Sequence, residues 1–295
     1  MPSSPRIAVV TDSTACLAGG VDGVTVVPIT MIVSGTPYDD PTSGPASGPT
    51  SGSASTSPLG SASSSTSPSV PASTSRPSPA RFAACYAALA ESGVTAITSI
   101  HLSAEMSGTV DSARAAARDA PIPVEVIDSR SIGMGLGYPV LAAARAAAAG
   151  APLETVTSVV RRCAMSTRTY FYVDTLDNLR RSGRIGAAAR LLGSALMIKP
   201  LLHIVDGQIS LLEKVRTATR AIARLEDLAV QAAGDGPVDL AVQHLAARPR
   251  AEALAERLHK RLPALADLQV VEVGPVIGVH VGPGMLGLTI TPHVS

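Results

Sequence analysis

The chain has 295 residues and a formal net charge of +1, from 24 basic and 23 acidic side chains. That balance excludes a general nucleic-acid binder, which needs a marked basic excess, and the length suits two domains of ordinary size. Three widely spaced cysteines, Cys16, Cys85 and Cys163, exclude a disulfide framework and offer no zinc-ligand spacing.

From the N-terminus, MPSSPRIAVV holds one basic residue and a four-residue apolar run, short of a signal peptide. No segment approaches the roughly 20 apolar residues of a membrane span. The expectation is a cytoplasmic protein. RIAVVTDST reads as a strand ending in polar residues, and VTVVPITMIV (24–33) as a second apolar run. The character then changes. Between Asp40 and Arg76 there is no charge, and Leu59 and Val70 are the only large apolar residues. Such a stretch buries too little to offset its ordering entropy, so residues 41–73 read as a disordered, low-complexity insert.

Order resumes in SRPSPARFAACYAALAESG. Ser78 is placed to cap a helix with Pro79 at its first position, Phe82, Tyr86 and Leu89 share a face, and Gly93 ends it. The β-branched run at 95–102, a helix after Ser107 and the strand VEVID (124–128) form a βαβ unit. Helices follow at 137–150 and 152–165. A domain boundary is expected near there, giving an N-terminal parallel α/β domain (1–150) and a C-terminal α+β domain (151–295). The second half mixes TYFYVD, two short helices around Gly183 and Gly186, and a hairpin about Asp206-Gly207. A helix (217–233), the strand VDLAVQHL, a helix (249–262), the strand LQVVEV and a closing pair of strands in VIGVHVGPGMLGLTIT complete it.

Several familiar signatures fail their context tests. GPGMLG (282–287) matches GxGxxG, but a strand follows it where a dinucleotide site needs a helix. No phosphate-binding P-loop, serine-hydrolase elbow or HExxH pair occurs, so no cofactor or metal is expected. Asp12 and Asp128 each end a strand before Ser; they suit turn caps better than a catalytic carboxylate pair. The informative stretch is HLSAEMSGTV (101–110). A helix starting just after Ser107 leaves backbone N–H groups unpaired at its positive end, Ser107 adds a hydroxyl, and Gly108 permits close approach. This is an anion site made of neutral donors. TSRPS (74–78), before another helix, reads as the same device. For either one alone, an ordinary N-cap is the competing explanation.

Eight pieces, in order, decide between these readings: IAVVTDSTACL, VTVVPITMIV with YDD, TSRPSPARF, LSAEMSGTVDSA, VEVIDSRSIGMGLG, VDTLDNLRRSGRIG, IKPLLHIVDGQI and GVHVGPGMLG. Together they resemble the DegV family of bacterial fatty-acid-binding proteins over the whole chain outside 41–73. The resemblance implies a two-domain DegV-like fold with a lipid tunnel between the domains. It implies that one long-chain fatty acid, such as palmitate, is held there and presented to a separate fatty-acid kinase, with no catalytic residue in this chain. The family's carboxylate-binding residues correspond to Thr74 and Ser107. Its motif His and glycine-flanked Arg correspond to His280 and Arg184, expected behind the ligand or facing a partner. Departures are Val279 and Val281 where the family has threonines, and Arg76 where it has Gln, expected to face solvent. The alternative is a hydrolase or acyltransferase with Ser107 as nucleophile, which would need a base within about 3 Å.

Overall fold

The computed structural model describes residues 6–17, 19–41, 72–186 and 199–293. Its first sheet is parallel throughout, in the order β2 (Val24–Val27), β1 (Ile7–Asp12), β6 (Ala96–His101), β7 (Val124–Asp128). Every residue of β6 is buried, as a central strand covered on both faces requires. On one face lie α1 (Pro79–Glu91) and α2 (Thr109–Ala117), whose Phe82, Tyr86 and Ala113 pack with Val10 and Ile97. Ser78 caps α1 by accepting from the Arg81 N–H, with Pro79 starting the helix as the sequence indicates. The other face is covered by α3 (Met134–Ala148) and α4 (Leu153–Ser166), through Val140, Val156 and Val160 against Val9, Ile100 and Ile127. The sequence places a division near residue 150. Since α4 buries its apolar face in the first sheet's core, the chain passes to the second sheet only at Arg168.

The second sheet runs β10 (Gln208–Val215), β9 (Lys199–Val205), β8 (Arg168–Tyr172), β13 (Leu286–Pro292), β11 (Val238–His244), β12 (Leu265–Glu272). Only the β11–β12 pair is parallel. Its outer face packs on α6 (Ala218–Ala233) and α7 (Arg248–Arg261) through Leu225, Leu254 and Leu258. Its inner face meets α3 and α4, where Met134, Tyr138 and Cys163 pack with Ala241 and Val271. The α3–α4 pair is therefore shared, and the layers alternate helix, sheet, helix, sheet, helix. This is the two-domain α/β architecture that the sequence implies, with a mixed second sheet.

Three local differences stand out. The 24–33 run is two strands, because Pro28 has no N–H to continue a ladder. After it, β3 (Thr30–Val33) leaves the first sheet and pairs with β4 (Thr36–Asp39) and β5 (Ala72–Ser75) in a small antiparallel sheet. The low-complexity stretch joins β4 to β5, and apart from Pro41, Ala72 and Ser73 it lies outside the described residues. Of the two short helices expected around Gly183 and Gly186, α5 (Asp177–Arg181) is observed and the second falls in 187–198, also outside them. Finally, the segment expected as the first closing strand is a helix, α8 (Pro275–Val281). Extended Gly274 followed by Pro275 at the first position starts it, overriding the strand-like composition of Val-Ile-Gly-Val-His-Val.

The ends of β1 and β6 are tied together by a sealed polar chain. Asp12 is fully buried and accepts from the Thr14 N–H and hydroxyl, from His101 Nδ1 at 3.1 Å and from the Leu102 N–H at 3.0 Å. With Nδ1 donating to the carboxylate, Nε2 accepts from Ser99 Oγ at 2.7 Å, and Ser99 accepts from the Tyr86 hydroxyl at 2.9 Å. Burial pushes the Tyr86 phenol well above its ordinary range, keeping it a donor. Phe82 closes the chain edge-on, its ring centroid 4.9 Å from that of His101. Asp12 thus caps the turn after β1, while Asp128 accepts from the Ala104 and Arg130 N–H groups, so the two carboxylates act separately. Asp12→Ala would leave several buried donors unpaired, at about 1–3 kcal/mol each. We expect urea denaturation to show a loss of about 3 kcal/mol or more, with Asp12→Asn losing less; a loss below about 1 kcal/mol would show that the chain is dispensable.

Candidate functional site

Thr74, Ser107, Arg184 and His280 arrive from four different places and line one slot between the two sheets. Thr74 stands on β5, opposite Met31 of β3. It is therefore aimed by strand pairing and not by a helix start, the role its TSRPS context had suggested. Ser107 directly precedes Gly108, the N-cap of α2, which supplies no capping side chain. Arg184 lies just past α5, and His280 occupies the last turn of α8.

The remaining walls are mostly apolar, with Ile29 and Leu102 from the first domain, Phe171, Ile204 and Ile209 from the second sheet, and Leu179, Ile277 and Met285 around them, and they include the polar Thr169 and Gln243 of the second sheet. No acidic residue is among the lining residues. Val281 also lines the slot, whereas Val279 packs toward the first domain's core. A wider groove along β2 and α1 contains none of the four residues.

Arg76 is exposed, as expected, yet it also lines the slot, and its guanidinium lies over Gly108: an added Cβ there would sit 2.1 Å from Nη1. Besides the neutral donors, two guanidiniums border the polar end. Arg184 is held by main-chain oxygens, its Nε donating to the Met106 carbonyl at 3.4 Å and Nη1 to that of Ser182. Among the described residues no carboxylate forms an ion pair with Arg76 or Arg184. The sequence signal for Arg76 was its position between two hydroxyl residues, but charge on a surface loop reads as solvated by default.

Hydroxyls and imidazole complete the polar end. Thr74 Oγ1 and His280 Nε2 are 3.0 Å apart, and Ser107 Oγ is 2.9 Å from Thr109 Oγ1. Among the described residues the buried His280 Nδ1 has no hydrogen-bond partner. Burial, with repulsion from Arg184 adding to it, pushes the imidazole down to about 4, so it is neutral at physiological pH. Among the described residues neither relevant histidine is hydrogen-bonded to Ser107: His101 bonds Asp12 and Ser99 through its two nitrogens, and His280 bonds Thr74.

The turn bearing Ser107 is clasped from the second domain. Ser103 Oγ donates to the Gly207 carbonyl at 2.7 Å, Gln208 donates to Glu105 at 2.8 Å, and Arg130 pairs with Asp206 at 3.2 Å. Deeper in, Gln243 accepts from the Met134 N–H and donates to Thr289, joining α3 to the second sheet. Its amide, which follows Val242 in the buried strand VDLAVQH of β11, was a legible signal that the sequence reading passed over.

The family model described as an uncharacterised protein family, DegV, matches residues 6–293. This chain belongs to the DegV family. A DegV domain-containing protein of Streptomyces coelicolor is 50% identical over 291 residues, covering 98% of this chain and 99% of that one. Among solved structures, the fatty-acid-binding DegV family protein of Thermus thermophilus superimposes with a TM-score of 0.83 at 29% identity, covering 98% of this chain and 100% of that one. DegV of Bacillus subtilis, a fatty acid binding protein, gives 0.81 at 28% identity with the same coverage.

In this DegV protein the depressed His280 makes a pH prediction. The unfolded chain takes up a proton below about pH 6.5 that the folded chain refuses until about 4. The stability contributed by the neutral imidazole is therefore complete above about 6.5 and falls as pH drops toward about 4. Between pH 7.5 and pH 5 the parent should lose about 2 kcal/mol more than His280→Gln, read from urea curves at both values. Equal losses in the two proteins would remove His280 from its buried, neutral role.

Proposed function

We propose that this protein binds one long-chain fatty acid between its domains, the carboxylate at the Thr74, Ser107 and His280 end and the hydrocarbon along the aliphatic wall. The observation that carries the reading is the composition of the slot: hydroxyls, an imidazole and two guanidiniums at its polar end, mostly aliphatic, methionine and Phe171 side chains elsewhere with Thr169 and Gln243 among them, and no acidic residue among the described lining residues. The relatives of known structure named above are described as fatty-acid-binding proteins, which supports it.

The energetics divide the work. A buried tail contributes about 0.8 kcal/mol per methylene, so roughly 14 methylenes supply on the order of 11 kcal/mol before entropic losses. Hydrogen bonds to a charged carboxylate contribute about 1.5–3 kcal/mol each and offset its desolvation. Tail burial sets affinity, and the polar end sets register. A bound carboxylate also selects one direction for the Thr74–His280 bond. With Nε2–H donating to Thr74 Oγ1, the threonine hydrogen is released to point at the ligand. Met106 and Met285 supply adaptable wall where an alkyl chain of varied shape must fit.

On this reading the protein holds its ligand without transforming it. The family resemblance carries the finer reading, a cytoplasmic carrier that offers the carboxylate to a separate fatty-acid kinase. No helix among the described residues is long and apolar enough to cross a membrane. Native mass spectrometry of protein purified from bacteria, with extraction of bound lipid, tests the reading and should yield an intact C16–C18 acid. Thr74→Ala combined with Ser107→Ala should weaken palmitate binding about tenfold or more with little change in melting temperature. Unchanged palmitate affinity in the double variant sinks the assignment, and a covalent acyl adduct on Ser107 would favour the hydrolase instead.

A further inference from the structure

We infer that Arg76 is a specificity-determining residue of this site, one that reads the charge of the ligand's head group, and that Gly108 exists to seat it. The inference rests on the fatty-acid reading and adds a charge-recognising element to it.

Three observations carry it. Arg76 lines the same slot as Thr74 and Ser107. Among the described residues its guanidinium has no ion-pair partner, so its charge is available to a ligand. Gly108 has φ −75° and ψ 16°, a backbone that any L-residue adopts, so the turn itself does not demand glycine. What it provides is space for Arg76 in this position. A Cβ at this position would come within 2.1 Å of Nη1 and 2.8 Å of Cδ of Arg76. The missing side chain lets the planar guanidinium lie against the start of α2 at Gly108, next in sequence to Ser107, at the helix end whose first N–H groups have no intrahelical acceptor. A carboxylate placed there accepts charge-assisted bonds from a fork. A fatty alcohol or ester of equal length presents no charge for the fork to meet.

The test compares palmitate with hexadecanol in fluorescence-displacement titrations at about 50 and 500 mM salt, using the parent and three variants. Arg76→Gln should weaken palmitate about tenfold, leave hexadecanol unchanged and flatten the salt dependence. Arg76→Lys should keep the salt dependence while recovering part of the affinity. Gly108→Ala, which leaves Arg76 chemically intact but displaces it, should behave like Arg76→Gln with an unchanged thermal melt. If the parent binds palmitate and Arg76→Gln binds it within twofold, the assignment to Arg76 is overturned while the fatty-acid reading stands. If both ligands weaken equally in Arg76→Gln, the side chain packs instead of reading charge, and the inference is likewise overturned. A parent that binds no palmitate removes the fatty-acid reading and this one with it.

Discussion

A carboxylate sealed from water must find all its partners within the protein, and Asp12 finds them at the ends of two neighbouring strands. Because it accepts from the Leu102 N–H and from His101, the exit of β6 cannot rotate or slide relative to β1. What leaves β6 is the turn that carries Ser103, Ser107 and Gly108. The geometry of the polar end of the slot is therefore inherited from an interaction wholly inside the first domain. The Asp–His–Ser order of that chain resembles a hydrolytic triad, but Ser99 is fully buried and accepts from Tyr86, so the chain supports structure and offers nothing to a substrate.

The slot itself arises from the layer between the sheets. The α3–α4 pair is packed on both sides, against the first sheet through Val140, Val156 and Val160 and against the second through Met134, Tyr138 and Cys163. At the N-terminal side of α3 lies the slot, lined by Leu102, Ile132, Ile277 and Met285. Polar residues enter from the rim: Thr74 from the small third sheet, Ser107 from the β6–α2 turn, His280 from α8 and Arg184 from the α5 side. Four elements contributing one side chain each define a site that any single motif describes poorly.

That explains which parts were legible beforehand. The parallel first sheet could be read from IAVVTD and TAITSIH because apolar runs buried on both faces leave a continuous signal, and Asp206-Gly207 announced its hairpin through positive φ at both residues. α8 could not be read, because Val-Ile-Gly-Val-His-Val has strand composition and only Pro275 argues otherwise. Thr74 and Ser107 were singled out by local turn chemistry together with the family resemblance; both line the slot, and strand pairing is what aims Thr74. Arg76 was read as facing solvent, and its place against Gly108, 32 residues away, is a relation that spacing alone does not encode.

The clasp between domains has a property of its own. Ser103 donates to a main-chain oxygen, that of Gly207, so the bond does not depend on which side chains the hairpin displays. It depends on residue count, and on a residue at 207 that tolerates φ +80° and leaves room for Ser103. Sequence drift along the hairpin arms leaves the fastening untouched, whereas one residue gained or lost between Val205 and Gln208 would move the acceptor out of reach with every neighbouring side chain still intact.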